Sequence, residues 1–260
     1  MSHIDDLFSR KQGHVLCVSC TAGFPQLDST VPVLKALKDH GADMIELVVP
    51  FSDPLANGPL MHHSNTVAVE NGMTVEKLFS QLREFRKMNS SNHTPIVLYS
   101  YFNPVLQHGF EKFCERAARA GVDGLIIPDL PIYEFQNKYG KLIKDCGVDF
   151  ILTVTPQTPD HRIKMLDKMS SGFLYAVSIS SSTGGRQFRA DLAFLERLSR
   201  LGLSCPVLAG IGVNTHEDFE RVCRHSNGAI LGNGFLRSLA ETGDAENSVK
   251  EFISQLMAVN

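Results

Sequence analysis

Residues 45–59 read Ile-Glu-Leu-Val-Val-Pro-Phe-Ser-Asp-Pro-Leu-Ala-Asn-Gly-Pro, a short apolar run followed by a loop rich in proline. The run carries a single carboxylate, Glu46, and the loop carries a second carboxylate, Asp53, and an amide, Asn57. A charge inside a buried strand is costly unless it is paired or has a chemical task. The stretch therefore predicts a buried β-strand that delivers polar groups to a functional site.

Short apolar runs of the same kind recur along the chain. Each is too short for a helix and too continuous for a strand with one solvated face, which is typical of strands buried on both faces. We predict eight such strands, at Val15–Cys20, Met44–Val49, Ile96–Tyr99, Gly124–Ile127, Phe150–Val154, Phe173–Val177, Val207–Ala209 and Ala229–Leu231. We predict helices at Met1–Arg10, Ser29–His40, Val75–Met88, Phe110–Ala120, Arg162–Met169, Leu192–Leu201, Glu217–Arg224 and Ala245–Val259.

Eight strands that alternate with helices fit either a closed (β/α)8 barrel or a doubly wound open sheet. No G-x-G-x-x-G motif opens the first unit, which argues against a dinucleotide-binding sheet. The strand count and the length of 260 residues favour the barrel, for which about 250 residues is typical. We therefore expect an α/β fold, a (β/α)8 TIM barrel that forms a single domain over residues 1–260, with an extra N-terminal helix that caps its bottom.

Composition argues against several classes of function. A net charge of -3 and a pI near 6.4 do not suit a nucleic-acid-binding surface. No stretch reaches the roughly 18 apolar residues of a membrane span. The N-terminus lacks the basic start and apolar run of a signal peptide. We expect a cytoplasmic protein that binds neither nucleic acid nor a membrane, and the sequence predicts no metal site.

Two glycine turns follow the last predicted strands, at Ala209-Gly-Ile-Gly-Val and Ile230-Leu-Gly-Asn-Gly-Phe. Loops after strands seven and eight, with backbone N–H groups near a helix N-terminus, form the usual phosphate site of a (β/α)8 barrel. We predict a phosphate site there; the alternative is that these glycines only turn the chain. The loop at 178–189 is long and hydroxyl-rich, and either closes over a ligand or remains a solvated loop.

The order of these motifs resembles that of the tryptophan synthase alpha subunit family, lyases that split indole-3-glycerol phosphate. The resemblance covers nearly the whole chain. Besides residues 45–59 and the glycine turns, the segments that carry it are Cys20-Thr-Ala-Gly, Tyr101-Phe-Asn-Pro, Ile127-Pro-Asp-Leu-Pro, Thr155-Pro-Gln-Thr-Pro, Phe173-Leu-Tyr and Ser178 with Ser182-Thr-Gly. It implies a role in tryptophan biosynthesis, as a retro-aldol cleavage that yields indole and glyceraldehyde 3-phosphate.

The resemblance also implies site residues. Glu46 would be the acid/base that protonates C3 of the indole, and the position of Asn57 is normally a catalytic aspartate. The substrate- and phosphate-binding residues would be Tyr101, Asp129, Tyr175, Thr183, Gly184, Gly212, Gly232 and Asn233. Tyr99 and Phe102 would line the indole pocket. Asp129 would brace the active-site loop through hydrogen bonds, with a purely structural cap as the alternative.

A partner is implied as well. Asp53 and Pro54 would contact the tryptophan synthase beta subunit in an alpha-beta-beta-alpha complex. The beta subunit would receive indole and join it to serine with its own pyridoxal phosphate. The alpha chain itself would carry no cofactor.

Three positions in and around the site depart from the family pattern: Asn57 replaces the aspartate, Val48 replaces a glycine and Ser181 replaces a glycine in the long loop. Phe24 also replaces the aspartate of the family's first strand-end motif, and Asn233 replaces its usual serine. A full negative charge suits the positive charge that develops on the indole nitrogen, and an amide lacks it. Losing one preorganised electrostatic partner typically costs ~10²–10³ in rate. The departures leave three interpretations open. The chain is a lyase with reduced turnover, or an inactive alpha chain that activates a beta subunit supplied with indole from elsewhere, or a barrel lyase or isomerase for another phosphorylated substrate.

Overall fold

The computed structural model of the chain describes residues 2–55, 58–88, 93–177, 191–210 and 215–257. Within these ranges, eight parallel strands pair in chain order and close into a barrel, since the first strand also pairs with the last. The strands are β1 (Val15–Thr21), β2 (Met44–Val48), β3 (Ile96–Tyr99), β4 (Gly124–Ile126), β5 (Asp149–Val154), β6 (Leu174–Val177), β7 (Val207–Gly210) and β8 (Gly228–Leu231). The predicted (β/α)8 barrel is confirmed.

Helices surround this barrel. They are α1 (His3–Arg10), α2 (Thr30–Asp39), α3 (Pro59–Glu70), α4 (Val75–Met88), α5 (Phe102–His108), α6 (Phe110–Arg119), α7 (Ile132–Glu134), α8 (Gly140–Asp145), α9 (Asp160–Met169), α10 (Leu192–Ser199), α11 (His216–Cys223), α12 (Asn233–Thr242) and α13 (Ala245–Met257). In the part of the chain that the structure describes, no helix has the length and apolar character that crossing a membrane requires.

Helix α3 was not predicted from the sequence, and its buried face explains why. That face carries Ser64 and Asn65 beside Ala68, so no apolar stripe of helical period marks it. Helix α3 begins at Pro59, which suits the first helical position because proline lacks an N–H. Helices α5, α7, α8 and α12 were not predicted either, whereas the helices that were predicted nearly coincide with observed ones.

Alternation along the strands sorts side chains into two apolar layers. On β2, Ile45 and Leu47 pack against the helices, whereas Met44 and Val48 lie in a second cluster inside the barrel. Glu46 stands between Met44 and Val48 at the same spacing of two, so its side chain points into the barrel. The strand that was expected to be buried on both faces thus presents its one charge to the interior.

Helix α1 closes the bottom of the barrel. Its Ile4, Leu7 and Phe8 are buried in the interior cluster, and the Phe8 ring lies 6.3 Å from that of Phe173. The Ser2 side chain caps the helix by accepting a hydrogen bond from the Asp5 N–H. The predicted N-terminal cap is confirmed, and ligand access is left to the opposite end, where the strands terminate.

Candidate active site

The buried carboxylate of Glu46 is the chemical centre of the barrel. Only 4% of the residue is exposed, and its Oε2 has no hydrogen-bond partner among the described residues. Burial raises the pKa of Glu46 from 4.5 to about 7, because the charged form loses its hydration. A carboxyl group with this pKa exists in both protonation states near neutral pH, as an acid/base catalyst requires.

Ser19 is a polar neighbour of Glu46 that the sequence analysis did not single out. The two residues are paired in register across β1 and β2, and Ser19 is 3% exposed. Burial outweighs the Ser19 hydroxyl, which acts to lower the pKa of Glu46, and the Ser19 oxygen makes no hydrogen bond of ordinary geometry within the described ranges. The available signal was a hydroxyl at an inward-facing position, two residues after Cys17, in a strand whose other residues up to Cys20 are apolar.

Tyr175 faces the barrel interior from β6, and Gly210 of β7 makes room for it. A Cβ at Gly210 would lie 2.3 Å from Tyr175 Cε2 and 2.4 Å from its hydroxyl oxygen, so only glycine permits this ring position. Burial, and next the nearby Glu46 charge, raise the pKa of Tyr175 well above its usual range. Tyr175 is therefore a neutral hydroxyl within the electrostatic reach of Glu46.

Aromatic rings fill much of the upper barrel. Tyr99 and Tyr101 meet edge to face with their centroids 5.8 Å apart, and Phe51 lies 5.6 Å from Tyr101. Val48 is 1% exposed and belongs to the same interior cluster. Burial raises the pKa of Tyr99 far above its usual range, which leaves it neutral. The interior lining above Glu46 is thus apolar and bulky, and the branched Val48 side chain contributes to it.

Phe102 does not belong to this lining, which corrects the expectation from the sequence. It is the first residue of α5, and its ring packs among the helices, 6.1 Å from Phe110 and 5.5 Å from Tyr139. The reason is a backbone hydrogen bond of 2.8 Å from the Phe102 N–H to Asp129 Oδ1, which fixes where the helix begins. Asp129 therefore joins the end of β4 to the start of α5.

The loop after β2 is anchored from below by α3. The Phe51 N–H donates to Asn65 Oδ1 at 3.0 Å. Helix α3 is in turn tied to β1, where the hydroxyls of Thr21 and Ser64 lie 2.7 Å apart. Beyond this anchor, Asp53 is exposed and Leu55 is 80% exposed. Pro54 between them is buried, so of the two predicted partner-contact residues Asp53 is accessible in the free chain and Pro54 is not.

Gly232 and Asn233 lie at the N-terminus of α12, directly after β8. Gly232 is the residue that precedes the first helical turn, and Asn233 is exposed. A Cβ at Gly232 would lie 3.0 Å from Ser19 Cβ, so the end of β8 approaches β1 closely. The free N–H groups of the first turn make this helix end suited to an anion.

Four predicted site residues, Asn57, Thr183, Gly184 and Gly212, lie outside the described residues, as does Ser181. The structure brings Glu46, Tyr175 and Tyr101 into one barrel interior and sets Gly232 at the same end. Asp129 lies at the rim, where it holds α5. These positions agree with a ligand site at the C-terminal end of the strands.

Comparison with known proteins identifies similar chains. The family model described as "Tryptophan synthase alpha chain" matches residues 7–259. The chain is 39% identical over 244 residues to the tryptophan synthase alpha chain of Flavobacterium johnsoniae. The match covers 93% of this chain and 94% of that relative. It is 38% identical over 259 residues to that of Phocaeicola vulgatus, spanning 98% and 99%.

Solved structures are similar as well. The alpha chain from Legionella pneumophila superposes with a TM-score of 0.87 at 27% identity, covering 98% of this chain and 96% of that one. A chain of the Pyrococcus furiosus tryptophan synthase complex superposes with a TM-score of 0.83 at 31% identity, covering 94% and 98%.

Proposed function

The chain belongs to the tryptophan synthase alpha chain family, and from that premise we propose that it cleaves indole-3-glycerol phosphate into indole and glyceraldehyde 3-phosphate. It is then a carbon–carbon lyase of tryptophan biosynthesis. The observation that carries the proposal is Glu46: a carboxyl group in the barrel interior with a pKa of about 7, one oxygen of which has no hydrogen-bond partner among the residues that the structure describes. A buried group of this kind has no structural use, because an unpaired polar atom costs stability.

Glu46 acts first as the acid. The protonated carboxyl delivers its proton to C3 of the indole ring, which converts the indole into a leaving group. The electrons of the breaking carbon–carbon bond then return to the ring, while the glycerol hydroxyl gives its proton to the Glu46 carboxylate left by the first step and becomes the aldehyde. Since the acid form is needed at the outset, the rate falls as the pH rises above about 7, the pKa of Glu46.

Tyr175 and Tyr101 hold the substrate next to this acid. Their rings lie in the barrel interior, so they exclude water from the reacting bond and strengthen the electrostatic effect of Glu46. The phosphate is bound at the other side of the mouth by the α12 N-terminus, with Gly232 and Asn233. Thr183, Gly184 and Gly212 complete the phosphate site in this proposal, on the strength of the family motif alone.

Turnover is reduced because of Asn57. A neutral amide accepts a hydrogen bond from the indole N–H but does not balance the positive charge that develops there. The missing charge costs ~10²–10³ in rate, by comparison with other preorganised electrostatic partners. Val48 lowers the rate further, because its branched side chain reduces the space for the indole ring above Glu46.

The partner of the chain is the tryptophan synthase beta subunit. The exposed Asp53 and Leu55, which extend from the anchored loop after β2, give the free chain a contact surface near the site. Pro54 supports this surface from inside. We further propose that the protein is a single cytoplasmic domain without a cofactor of its own, and that pyridoxal phosphate belongs to the beta subunit alone.

The sequence at position 57 also supports a second candidate function, that of a non-catalytic activator. In this case the chain binds the beta subunit and stimulates it, while indole comes from elsewhere. The partner surface around Asp53 is retained, whereas the aspartate of the catalytic motif is replaced. The two candidates share the fold and the partner and differ only in whether indole is released.

An assay of indole release decides between them. The isolated chain is incubated with indole-3-glycerol phosphate, with and without a beta subunit, and indole is measured. The lyase proposal predicts release that a beta subunit increases. Absence of indole in both mixtures, together with faster condensation of added indole and serine by the beta subunit, would establish the activator. Neither release nor stimulation would refute both.

A further inference from the structure

We propose that Ser19 is an additional ligand-binding residue, whose hydroxyl binds the hydroxyl-bearing chain between the reacting carbon and the phosphate of the ligand. The inference rests on the proposed function, because it takes Glu46 as the group beside the reacting carbon. It adds a contact that neither the sequence motifs nor the predicted site residues include.

Ser19 lies between the catalytic acid and the predicted phosphate end of the barrel. Strand β1 is the neighbour of both β2 and β8, so Ser19 lies between the acid of one strand and the helix end that follows the other. It pairs in register with Glu46. Its Oγ would be 3.5 Å from a Cβ placed on Gly232, so the hydroxyl stands against the predicted phosphate end as well.

Two adjacent buried oxygens are also left without partners among the described residues. Ser19 Oγ and Glu46 Oε2 are both inaccessible, and neither meets a partner within ordinary hydrogen-bond distance and angle in the described part of the chain. The contact between Ser19 and Glu46 is close enough to affect the carboxyl group but leaves both atoms short of a well-formed hydrogen bond. A buried polar atom without a partner is costly, and an alanine at position 19 would avoid the cost. The hydroxyl is therefore suited to a partner that arrives with the ligand.

The ligand group that Ser19 binds is set by what lies between Glu46 and the phosphate end of the site. The substrate segment that connects the indole ring to the phosphate is a short chain with hydroxyl groups. A serine hydroxyl donates one hydrogen bond and accepts others, so it matches a hydroxyl in either role. An apolar ring at this point would leave Ser19 unpaired, whereas a polyol chain would satisfy it.

Binding of two small phosphates tests the assignment without any turnover. Glycerol 3-phosphate carries the hydroxyls, and ethyl phosphate lacks them. Isothermal titration of each is compared in the unaltered chain and in Ser19→Ala. We expect Ser19→Ala to weaken glycerol 3-phosphate about three- to tenfold, the usual worth of one neutral hydrogen bond, and to leave ethyl phosphate unchanged. Ser19→Cys keeps the size but donates poorly, and should behave like Ser19→Ala.

Cys20→Ala serves as the matched control, since Cys20 is the next residue of β1 and packs on the opposite face, among the helices. It should bind both phosphates as the unaltered chain does. Equal affinity for glycerol 3-phosphate in Ser19→Ala and the unaltered chain would overturn the proposal, and so would an equal loss for both phosphates. A chain that passes this test but releases no indole would leave Ser19 assigned and refute the lyase function alone.

Discussion

Two buried carboxylates, Glu46 in the barrel interior and Asp123 at the barrel bottom, differ in their hydrogen-bond donors. Asp123 is 8% exposed and accepts from four groups. The His3 and His93 rings each donate to its Oδ1 at 2.7 Å, while the Arg86 guanidinium and the Ile96 N–H reach its Oδ2 at 2.9 Å and 2.8 Å. Glu46 is similarly buried, and one of its oxygens has no described partner.

The pKa values of the two groups diverge accordingly. Burial acts on both in the same direction and would raise both pKa values. At Asp123 the hydrogen bond from His93 and the charge of Arg86 outweigh it, so its pKa is lowered below the usual 3.8. At Glu46 burial prevails. A buried carboxylate whose oxygens have hydrogen-bond donors stabilises the fold, whereas a buried carboxylate that lacks such donors is available for chemistry.

The largest expected effect is the loss of activity in Glu46→Gln. Removal of the acid should lower indole release by about 10²–10⁴, the usual contribution of general acid–base catalysis. The free energy of unfolding of Glu46→Gln should exceed that of the unaltered chain above pH 4.5, and the difference should be largest above pH 7. Above pH 4.5 the unfolded chain ionises Glu46, whereas the folded chain must either keep it protonated or bury its charge, and both cost the unaltered chain stability. Indole assays and denaturant titrations at pH 4 and pH 8 measure both.

Glu84→Gln provides the control, since Glu84 is exposed on α4. It should match the unaltered chain in activity and in stability at both pH values. If Glu46→Gln retained full activity, or lost stability at pH 8, the contrast between the two carboxylates would disappear.

The next effect concerns stability alone. Asp123→Asn should lower the free energy of unfolding by about 3 kcal/mol, because the Arg86 charge then remains buried without its counter-ion. Since the pKa of Asp123 is lowered in the folded chain, this stabilisation is fully present above pH 3.8 and is lost as the pH falls through the folded value. Urea titration at pH 7 checks the magnitude.

Asp39→Asn removes a carboxylate of the same type from an exposed ion pair with Lys35, and should change stability by no more than about 1 kcal/mol. Indole release by Asp123→Asn, measured well below its unfolding temperature, should be unchanged. A loss of turnover there would show that Asp123 acts on the site as well.

The sequence analysis found one of these carboxylates and overlooked the significance of the other. Glu46 is a lone charge in an apolar strand, so the neighbouring residues alone show that burying this charge is costly. Asp123 stands in an ordinary Gly-Val-Asp joint between helix and strand, and the side chains that satisfy it come from His3, Arg86 and His93. Only the closed barrel brings those positions together.

The same limit applies to pairs across strands. The repeated strand–helix units predicted the barrel, which the structure confirms. The strand-end motifs placed a ligand site at its C-terminal end, and that stays a prediction. Two contacts depend on the register between strands, which a linear sequence does not specify. They are the space that Gly210 leaves for the Tyr175 ring and the pairing of Ser19 with Glu46. The direction of Phe102 was misjudged for a similar reason, because the Asp129 hydrogen bond decides where α5 starts.

A third prediction tests the packing at the functional end. Gly210→Ala should displace the Tyr175 ring and lower catalytic efficiency by the equivalent of about 1–3 kcal/mol, as overpacking of a filled interior does. Gly13→Ala, where the added Cβ would meet nothing within 4 Å, is the control. The steady-state efficiency of indole release measures the effect, and equal efficiency in both variants would show that the Tyr175 position is dispensable.

The last prediction is a gain in activity. Asn57→Asp should raise indole release by at least roughly tenfold, since it restores a charge opposite the indole nitrogen. The gain should vanish in the double variant with Glu46→Gln, because the added charge assists a proton transfer that no longer occurs. An unchanged rate in Asn57→Asp would shift the explanation for low turnover to Val48.

The most direct test is a carbon-13 NMR titration of the folded chain labelled at its glutamate side chains, with the Glu46 resonance assigned by its absence in Glu46→Gln. The account predicts that this carboxyl titrates with a pKa of about 7. A pKa near the ordinary 4.5 would contradict it, because Glu46 would then be solvated or paired and not held ready to donate a proton.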